Sequence, residues 1–339
     1  MKLPTGSNPA ASRLPVRFLG TGAYLPETKR TNQHFTEYLD TTEEWIVTRT
    51  GIRERRIAAP HETTSTMGAE AAREALKDAD LSINDIDVIV CATATGDHPF
   101  PATATYIQAL LGGQGIPAFD VGAACAGFLH GATVAAGLIS GGIYRTALVI
   151  GAETLTRYAD PEDRTTVILF GDAAGAAVLG RFDGPNHGIL YCALGADGSK
   201  ADFIRVPAGG ARLPASSMTV AERLHFLRMK GREVYKFAVM KMQEIIDKAL
   251  AETGLSPQDL KLVIPHQSNL RIIESVRERL RLPKDKVVVN IDRYGNTSAA
   301  SVPMGLTEAR RNGTVKEGDL VLMVAIGAGL TWATMILKY

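Results

Sequence analysis

Residues 70–90 return 174 positions later as residues 244–264, and an internal repeat of this length constrains the fold more than any single motif does. Glu70, Ala75, Leu76, Leu81, Ser82 and Asp85 match Glu244, Ala249, Leu250, Leu255, Ser256 and Asp259. Each copy reads as helix, turn and buried strand, closing on Val88-Ile89-Val90 and Leu262-Val263-Ile264. Further on, Gly137, Gly142, Ile150, Gly151 and Ala152 meet Gly313, Gly318, Ile326, Gly327 and Ala328 at a spacing of 176. Strand-like runs at 16–19, 87–91, 147–150, 262–264, 287–291 and 320–326 alternate with helical segments, the pattern of an α/β fold. The expectation is two similar halves, residues 16–184 and 185–339, behind an N-terminal leader of residues 1–15. Ends of equivalent strands would converge on a pseudo-twofold axis, where sites form in α/β folds.

With 339 residues and 45% hydrophobic content, the chain can bury a large core and has no room for long disordered tracts. A net charge of +1 supplies no global field for nucleic acid or membrane, so an acidic partner must be met by a local basic patch. Cys91, Cys125 and Cys192 are odd in number and far apart, which argues against a disulfide framework or a CxxC metal site and for a reducing cytoplasm. The start is broken by Pro4, Pro9 and Pro15 and lacks the apolar block of a signal peptide. No run reaches the roughly 18 apolar residues that span a bilayer.

Residues 120–135 are apolar on every side and read as a helix buried all round, with Cys125 near its start. Unsatisfied N–H groups and the positive end of a helix dipole there would favour a thiolate. Cys91, within a strand, and Cys192 read as core residues. His266 follows the strand of the second repeat, where the first half has its Ala92-Thr93 loop, and Asn296 lies in a small-residue turn that opens another helix. Together they supply a soft nucleophile and two neutral donors, the parts a decarboxylative condensation needs.

Asp120-Val-Gly-Ala-Ala-Cys-Ala-Gly-Phe, Val263-Ile-Pro-His-Gln-Ser-Asn-Leu-Arg-Ile and Tyr294-Gly-Asn-Thr-Ser-Ala-Ala-Ser-Val-Pro closely resemble the catalytic blocks of the β-ketoacyl-acyl carrier protein synthase III family. The resemblance extends through the blocks beginning at Trp45, Phe170 and Gly327 and covers the chain from about residue 16 to its end. It implies the thiolase fold, two duplicated α/β halves in five αβαβα layers, and a homodimer. It also implies an acyltransferase that condenses an acyl-CoA primer, acetyl or similar, with malonyl-acyl carrier protein to initiate type II fatty acid synthesis. No metal or other cofactor, nucleic acid or membrane is implied.

Carried onto these positions, Cys125 would take the acyl group as a thioester, while His266 and Asn296 would hold the malonyl carbonyl during decarboxylation. Backbone N–H groups of Cys125 and Ala328 would form the oxyanion hole. Many members have three glycines in that turn, so Ala328 would fit less easily if positive φ were required there. Trp45 and Arg164, with Arg49 nearby, resemble the CoA adenine site; Asn269 resembles a pantetheine contact, and Gly231 and Tyr235 the tunnel wall. Phe100 resembles the residue that crosses the dimer interface to close the partner's acyl pocket. Arg271, Arg277 and Arg281, on an amphipathic helix after His266, would dock the acidic carrier, although Glu274 and Glu278 leave open a plain self-paired face.

Gly20-Thr-Gly22 begins like a dinucleotide fingerprint but lacks the third glycine, and Pro26 opposes the helix that must follow. Gly122 stands one residue too far from Cys125 for a nucleophile elbow. His130 and His187 have no partners at ligand spacing. Competing readings are a synthase III relative of specialised metabolism with another acceptor, a silent partner subunit, which would usually lose Cys125, and a cysteine hydrolase, which would usually need an acidic orienter for His266.

Overall fold

This computed structural model describes residues 13–182 and 188–339. The boundary expected between residues 184 and 185 lies outside them, as do His187 and most of the expected leader. The strands, in chain order, are β1 (Val16–Tyr24), β2 (Lys29–Thr31), β3 (Glu54–Arg56), β4 (Val88–Ala92), β5 (Ala118–Val121), β6 (Thr146–Glu153) and β7 (Ala173–Arg181). After them come β8 (Gly188–Ala196), β9 (Ile204–Arg205), β10 (Arg228–Met229), β11 (Leu262–Pro265), β12 (Leu320–Gly327) and β13 (Thr331–Lys338). The helices are α1 (Gln33–Thr36), α2 (Glu43–Thr50), α3 (Thr64–Asp78), α4 (Thr103–Leu110), α5 (Gly127–Ser140), α6 (Ser217–Ala221), α7 (Gly231–Thr253), α8 (Leu270–Leu280), α9 (Ile291–Tyr294) and α10 (Ser301–Arg311).

Two sheets repeat one another. The first runs β1-β7-β6-β4-β5 and the second β8-β13-β12-β11. A parallel bridge from Val263 to Val287 stands where a fifth strand would follow β11. In both sheets the two innermost strands pair in parallel and the next two antiparallel. The repeated serine and aspartate have one job in both copies: Asp85 accepts from the Ser82 N–H at 2.8 Å and Asp259 from that of Ser256 at 2.7 Å, each capping the turn into the buried strand.

The strand registers correct one expectation. Val88 faces Ala147 and Leu262 faces Val321, so the offset stays at 174 across β6 and β12. The spacing of 176 read around Ile150 is two residues out of structural register. A two-residue slip keeps side chains on the same face of a strand, which is why the apolar pattern imitates a match.

Helices α5 and α10 lie between the sheets, and their Phe128, Leu129, Val302 and Leu306 join Val88, Val90, Leu262 and Ile264 in one central core. Helices α3 and α4 cover the outer face of the first sheet, and α7 that of the second, with α8 against it. These are the five layers of a thiolase-like fold. With helices on both faces, the innermost strands are buried throughout and read as unbroken apolar runs. The expected leader reaches too far: Leu14 N–H donates to Ile189 O at 2.9 Å and Pro15 O accepts from Phe182 N–H, so both residues belong to the folded body. Among the described residues no helix is long and apolar enough to cross a membrane.

Candidate active site

The helix expected from residue 120 starts later. Asp120 and Val121 end β5, residues 124–126 form a single 3₁₀ turn, and α5 begins at Gly127. Asp120 is drawn into the strand because its carboxylate accepts from the N–H groups of Thr103 and Ala104 at the start of α4, at 2.6 and 2.8 Å. Cys125 therefore sits in the turn before the helix. The preceding residue, Ala124, has φ +45, a left-handed conformation that costs a non-glycine residue about 1–3 kcal/mol. Strand β12 clamps the turn: a Cβ on Gly327 would lie 2.5 Å from Ala123 O.

Cys125, His266 and Asn296 line one cavity of about 380 Å3. The thiol is no resting thiolate. Desolvation pushes it up to about 12, so burial outweighs the favourable dipole expected from sequence. Cys125 is half-buried and His266 fully so, and desolvation brings the histidine down to about 3, leaving the ring neutral at working pH. Its Nδ1 lies 2.7 Å from Ser301 Oγ, and the Ser301 hydroxyl donates to Ser298 O at 2.8 Å. A hydroxyl has one proton, so Ser301 accepts from Nδ1–H, and Nε2 is the unprotonated nitrogen in this arrangement.

Asn296 is held from three sides. Its N–H donates to Leu169 O at 2.8 Å, its carbonyl accepts from Gly171 N–H at 3.1 Å, and its Oδ1 accepts from Ser298 N–H at 2.9 Å. The Oδ1 bond leaves Nδ2 as the donor end. Gln267, which the sequence reading passed over, is buried and ties His266 in place: Nε2 donates to Pro265 O and Val288 O, and Oε1 accepts from the N–H groups of Asn290 and Ile291.

At the other turn, the positive φ falls on Gly329, at +136, and not on Ala328, so the alanine is compatible with the turn. Ala328 lines the cavity. The guanidinium carbons of Arg49 and Arg164 lie 5.6 and 5.4 Å from the centroid of the Trp45 ring. These three residues are outside the cavity lining, whereas Gly231, Tyr235 and Asn269 are part of it. The Asn269 side chain is already engaged, accepting from Arg271 N–H at 2.9 Å as the cap of α8 and donating to Arg49 O at 3.0 Å. Phe100 is 85% exposed and touches no part of this chain's cavity.

The three arginines expected to face a carrier separate. Arg271 stands over the ring of Tyr235, a residue of the cavity lining, at 5.6 Å. Arg277 Nε is paired with Glu274 at 2.6 Å, the self-paired face the glutamates had left open. Arg281 forms the left-handed C-cap of α8, at the far end of an 11-residue helix. Sequence reasoning also missed Arg205, which lines the cavity, and Glu153, Ser298 and Ser301. Ser298 and Ser301 stood inside a quoted block, but small-residue turns carry no local sign of which hydroxyl will be used.

The sequence profile described as 3-Oxoacyl-[acyl-carrier-protein (ACP)] synthase III matches residues 119–198, and that of its C-terminal part matches 250–339. A β-ketoacyl-[acyl-carrier-protein] synthase III of Caldanaerobacter subterraneus is 50% identical over 327 residues, 96% of this chain and 98% of that protein. The crystal structure of 3-oxoacyl-[acyl-carrier-protein] synthase III from Aquifex aeolicus superposes with a TM-score of 0.88 at 45% identity, covering 96% of this chain and all of that one. The priming β-ketosynthase of the R1128 polyketide pathway gives a TM-score of 0.88 at 38% identity, over 98% of each chain. The Cys125 turn, the buried neutral His266 and the oriented Asn296 thus meet on one cavity, in a chain whose curated relatives at 47–50% identity carry the name β-ketoacyl-[acyl-carrier-protein] synthase III, and the chain belongs to that family.

Proposed function

We propose that this enzyme condenses an acyl-CoA primer with malonyl-acyl carrier protein, with loss of carbon dioxide, as the first step of type II fatty acid synthesis. The observation that carries the reading is the meeting of Cys125, His266 and Asn296 on one cavity. Cys125 takes the acyl group, and backbone N–H groups of Cys125 and Ala328 receive the oxyanion. Each such donor is worth about 2.7–4 kcal/mol of barrier in other enzymes. Asn296 Nδ2 and His266 then stabilise the enolate oxygen of the decarboxylating malonyl thioester. For this the His266 ring presents Nε2–H, which requires the Ser301 hydroxyl to turn its proton toward Nδ1; one hydroxyl rotation and a tautomer exchange suffice. The carbanion attacks the Cys125 thioester and releases the β-ketoacyl product on the carrier.

Trp45, Arg49 and Arg164 hold the adenine end of CoA, which displaces a guanidinium group from the Trp45 ring as it stacks there. Asn269 borders the pantetheine path with its remaining N–H. Arg271 meets the acidic carrier at the mouth, with Arg277 and Arg281 contributing little. The enzyme works in the cytoplasm as a homodimer in which Phe100 closes the partner's pocket, and it uses no metal or other cofactor. The test is a scan of acyl-CoA primers against malonyl-acyl carrier protein, following carbon dioxide release and product mass. A β-ketoacyl-carrier product from a short primer supports the reading. Transfer of the acyl group to a different acceptor, with no condensation on malonyl-carrier, would instead indicate an enzyme of specialised metabolism.

A further inference from the structure

Ser298 is the junction of the two groups that face the malonyl carbonyl. Its N–H donates to Asn296 Oδ1 at 2.9 Å. Its carbonyl accepts from the Ser301 hydroxyl at 2.8 Å, and that hydroxyl lies 2.7 Å from His266 Nδ1. The backbone of one residue thus orients both side chains. It does so at φ +48, a left-handed conformation that costs a non-glycine residue about 1–3 kcal/mol and persists only where the surroundings hold it. The remaining polar group of Ser298, its hydroxyl, donates across to the other half, to Glu153 at 2.9 Å.

Glu153, at the end of β6, is fully buried, and its donors among the described residues are all neutral: Thr93 Oγ1 at 3.3 Å, Ala94 N–H at 3.1 Å, Thr95 Oγ1 at 2.6 Å and the Ser298 hydroxyl. A buried acid is costly, and the strand does not require one, because the equivalent end of β12 is Gly327. The repeat shows what the acid does there. At the offset of 174 set by the strand registers, Ser298 is the counterpart of Ala124, which is left-handed too, at φ +45, and each residue opens a 3₁₀ turn before a central helix. Gly327 braces the Cys125 turn by closing on its backbone. Glu153, at the same place in the other half, braces the Ser298 turn by a side-chain hydrogen bond, which Ala124 could not make.

We propose that Glu153 is a positioning residue for decarboxylation. By anchoring the Ser298 hydroxyl it holds the left-handed turn whose N–H aims Asn296 and whose carbonyl, through Ser301, aims His266. Glu153 lies outside the cavity lining, so it acts through Ser298 and moves no proton in the reaction. This role rests on His266 and Asn296 acting on the malonyl thioester.

The test separates the half-reactions in the intact enzyme. Acylation of Cys125 is followed by peptide mass in a single turnover with acyl-CoA, and decarboxylation by carbon dioxide release from malonyl-carrier. Ser298→Ala removes the hydroxyl but keeps the N–H and carbonyl of the turn, and Glu153→Gln places an N–H among donors. Each should leave acylation within about threefold and lower kcat for decarboxylation by about 10–10²-fold with little change in KM, because the donors are misplaced while binding is kept. The double variant should be within about twofold of the slower single variant, since both changes break one bond. Glu153→Asp, which keeps both acceptor oxygens, should decarboxylate faster than Glu153→Gln.

Equal loss of both half-reactions overturns the role, as do additive losses in the double variant or a native rate in Glu153→Gln beside a slow Ser298→Ala. Should Glu153→Gln fail to fold, Ser298→Ala and its combination with Glu153→Asp carry the same comparison. If His266→Ala and Asn296→Ala decarboxylate at the native rate, the reading beneath fails and this role with it. If those two are slow while the Glu153 and Ser298 variants are native, the positioning role alone fails.

Discussion

The two sheets share strand order, pairing direction and register, yet they bring different chemistry to the cavity. The first half supplies the Cys125 turn. The second supplies His266, the Asn296 turn and the Ala328 backbone. They also support one another crosswise: Gly327 of β12 packs against the Cys125 turn, and Gly151 of β6 packs against Ala299, just after Ser298, where a Cβ would lie 2.4 Å from Ala299 O. Duplication thus yields a symmetric frame in which each half's central strand braces the other half's reactive turn, and the side chains are free to diverge.

The largest expected break in this division is Cys125→Ala, which should abolish acylation and condensation together. Mass analysis of peptides after incubation with acyl-CoA checks it; an adduct on Cys91 or Cys192 would count against the assignment.

His266→Ala and Asn296→Ala come next. Both should still be acylated at Cys125 while losing about 10²–10³-fold in decarboxylation of malonyl-carrier, the usual loss for one such donor. Equal loss of both half-reactions would remove the separation between the halves. The His266 contribution should also show no inflection near its ordinary value of about 6.5, since the ring stays neutral down to about 3. A decarboxylation rate that is flat between roughly pH 5 and 8 is the expected readout, with the loss on protonation confined to more acid solution.

The crosswise bracing sharpens the comparison. Gly327→Ala pushes on the nucleophile turn and should impair acylation first, whereas Gly151→Ala pushes on the Asn296–Ser298 turn and should impair decarboxylation first. Each should cost about 1–3 kcal/mol of stability through overpacking, measured by denaturant unfolding. Ala328→Gly should leave both half-reactions within about twofold, as the left-handed φ belongs to Gly329.

The smallest effect lies at the rim. Arg271→Glu should raise the apparent KM for malonyl-carrier severalfold, with a weaker salt dependence than the native enzyme and little change in acylation. Arg277→Glu should do less, because its partner is Glu274 on the same helix. If the two are indistinguishable, position at the mouth does not govern docking.

Sequence alone determined the repeat, the α/β order, a cysteine close to the start of a buried helix and the histidine after a strand, because these follow from local periodicity, capping residues and spacing. It misplaced the start of the helix that follows Cys125, where Asp120 is drawn into β5 by N–H groups of α4. Tertiary structure alone decided protonation and partnership. Cys125 rests as a thiol because desolvation outweighs the dipole at its turn, His266 points one nitrogen at Ser301, and Glu153 accepts from Ser298, 145 residues away along the chain. Desolvation and the choice of hydrogen-bond partner depend on groups that meet only when the halves pack, so no pattern of neighbouring residues encodes them.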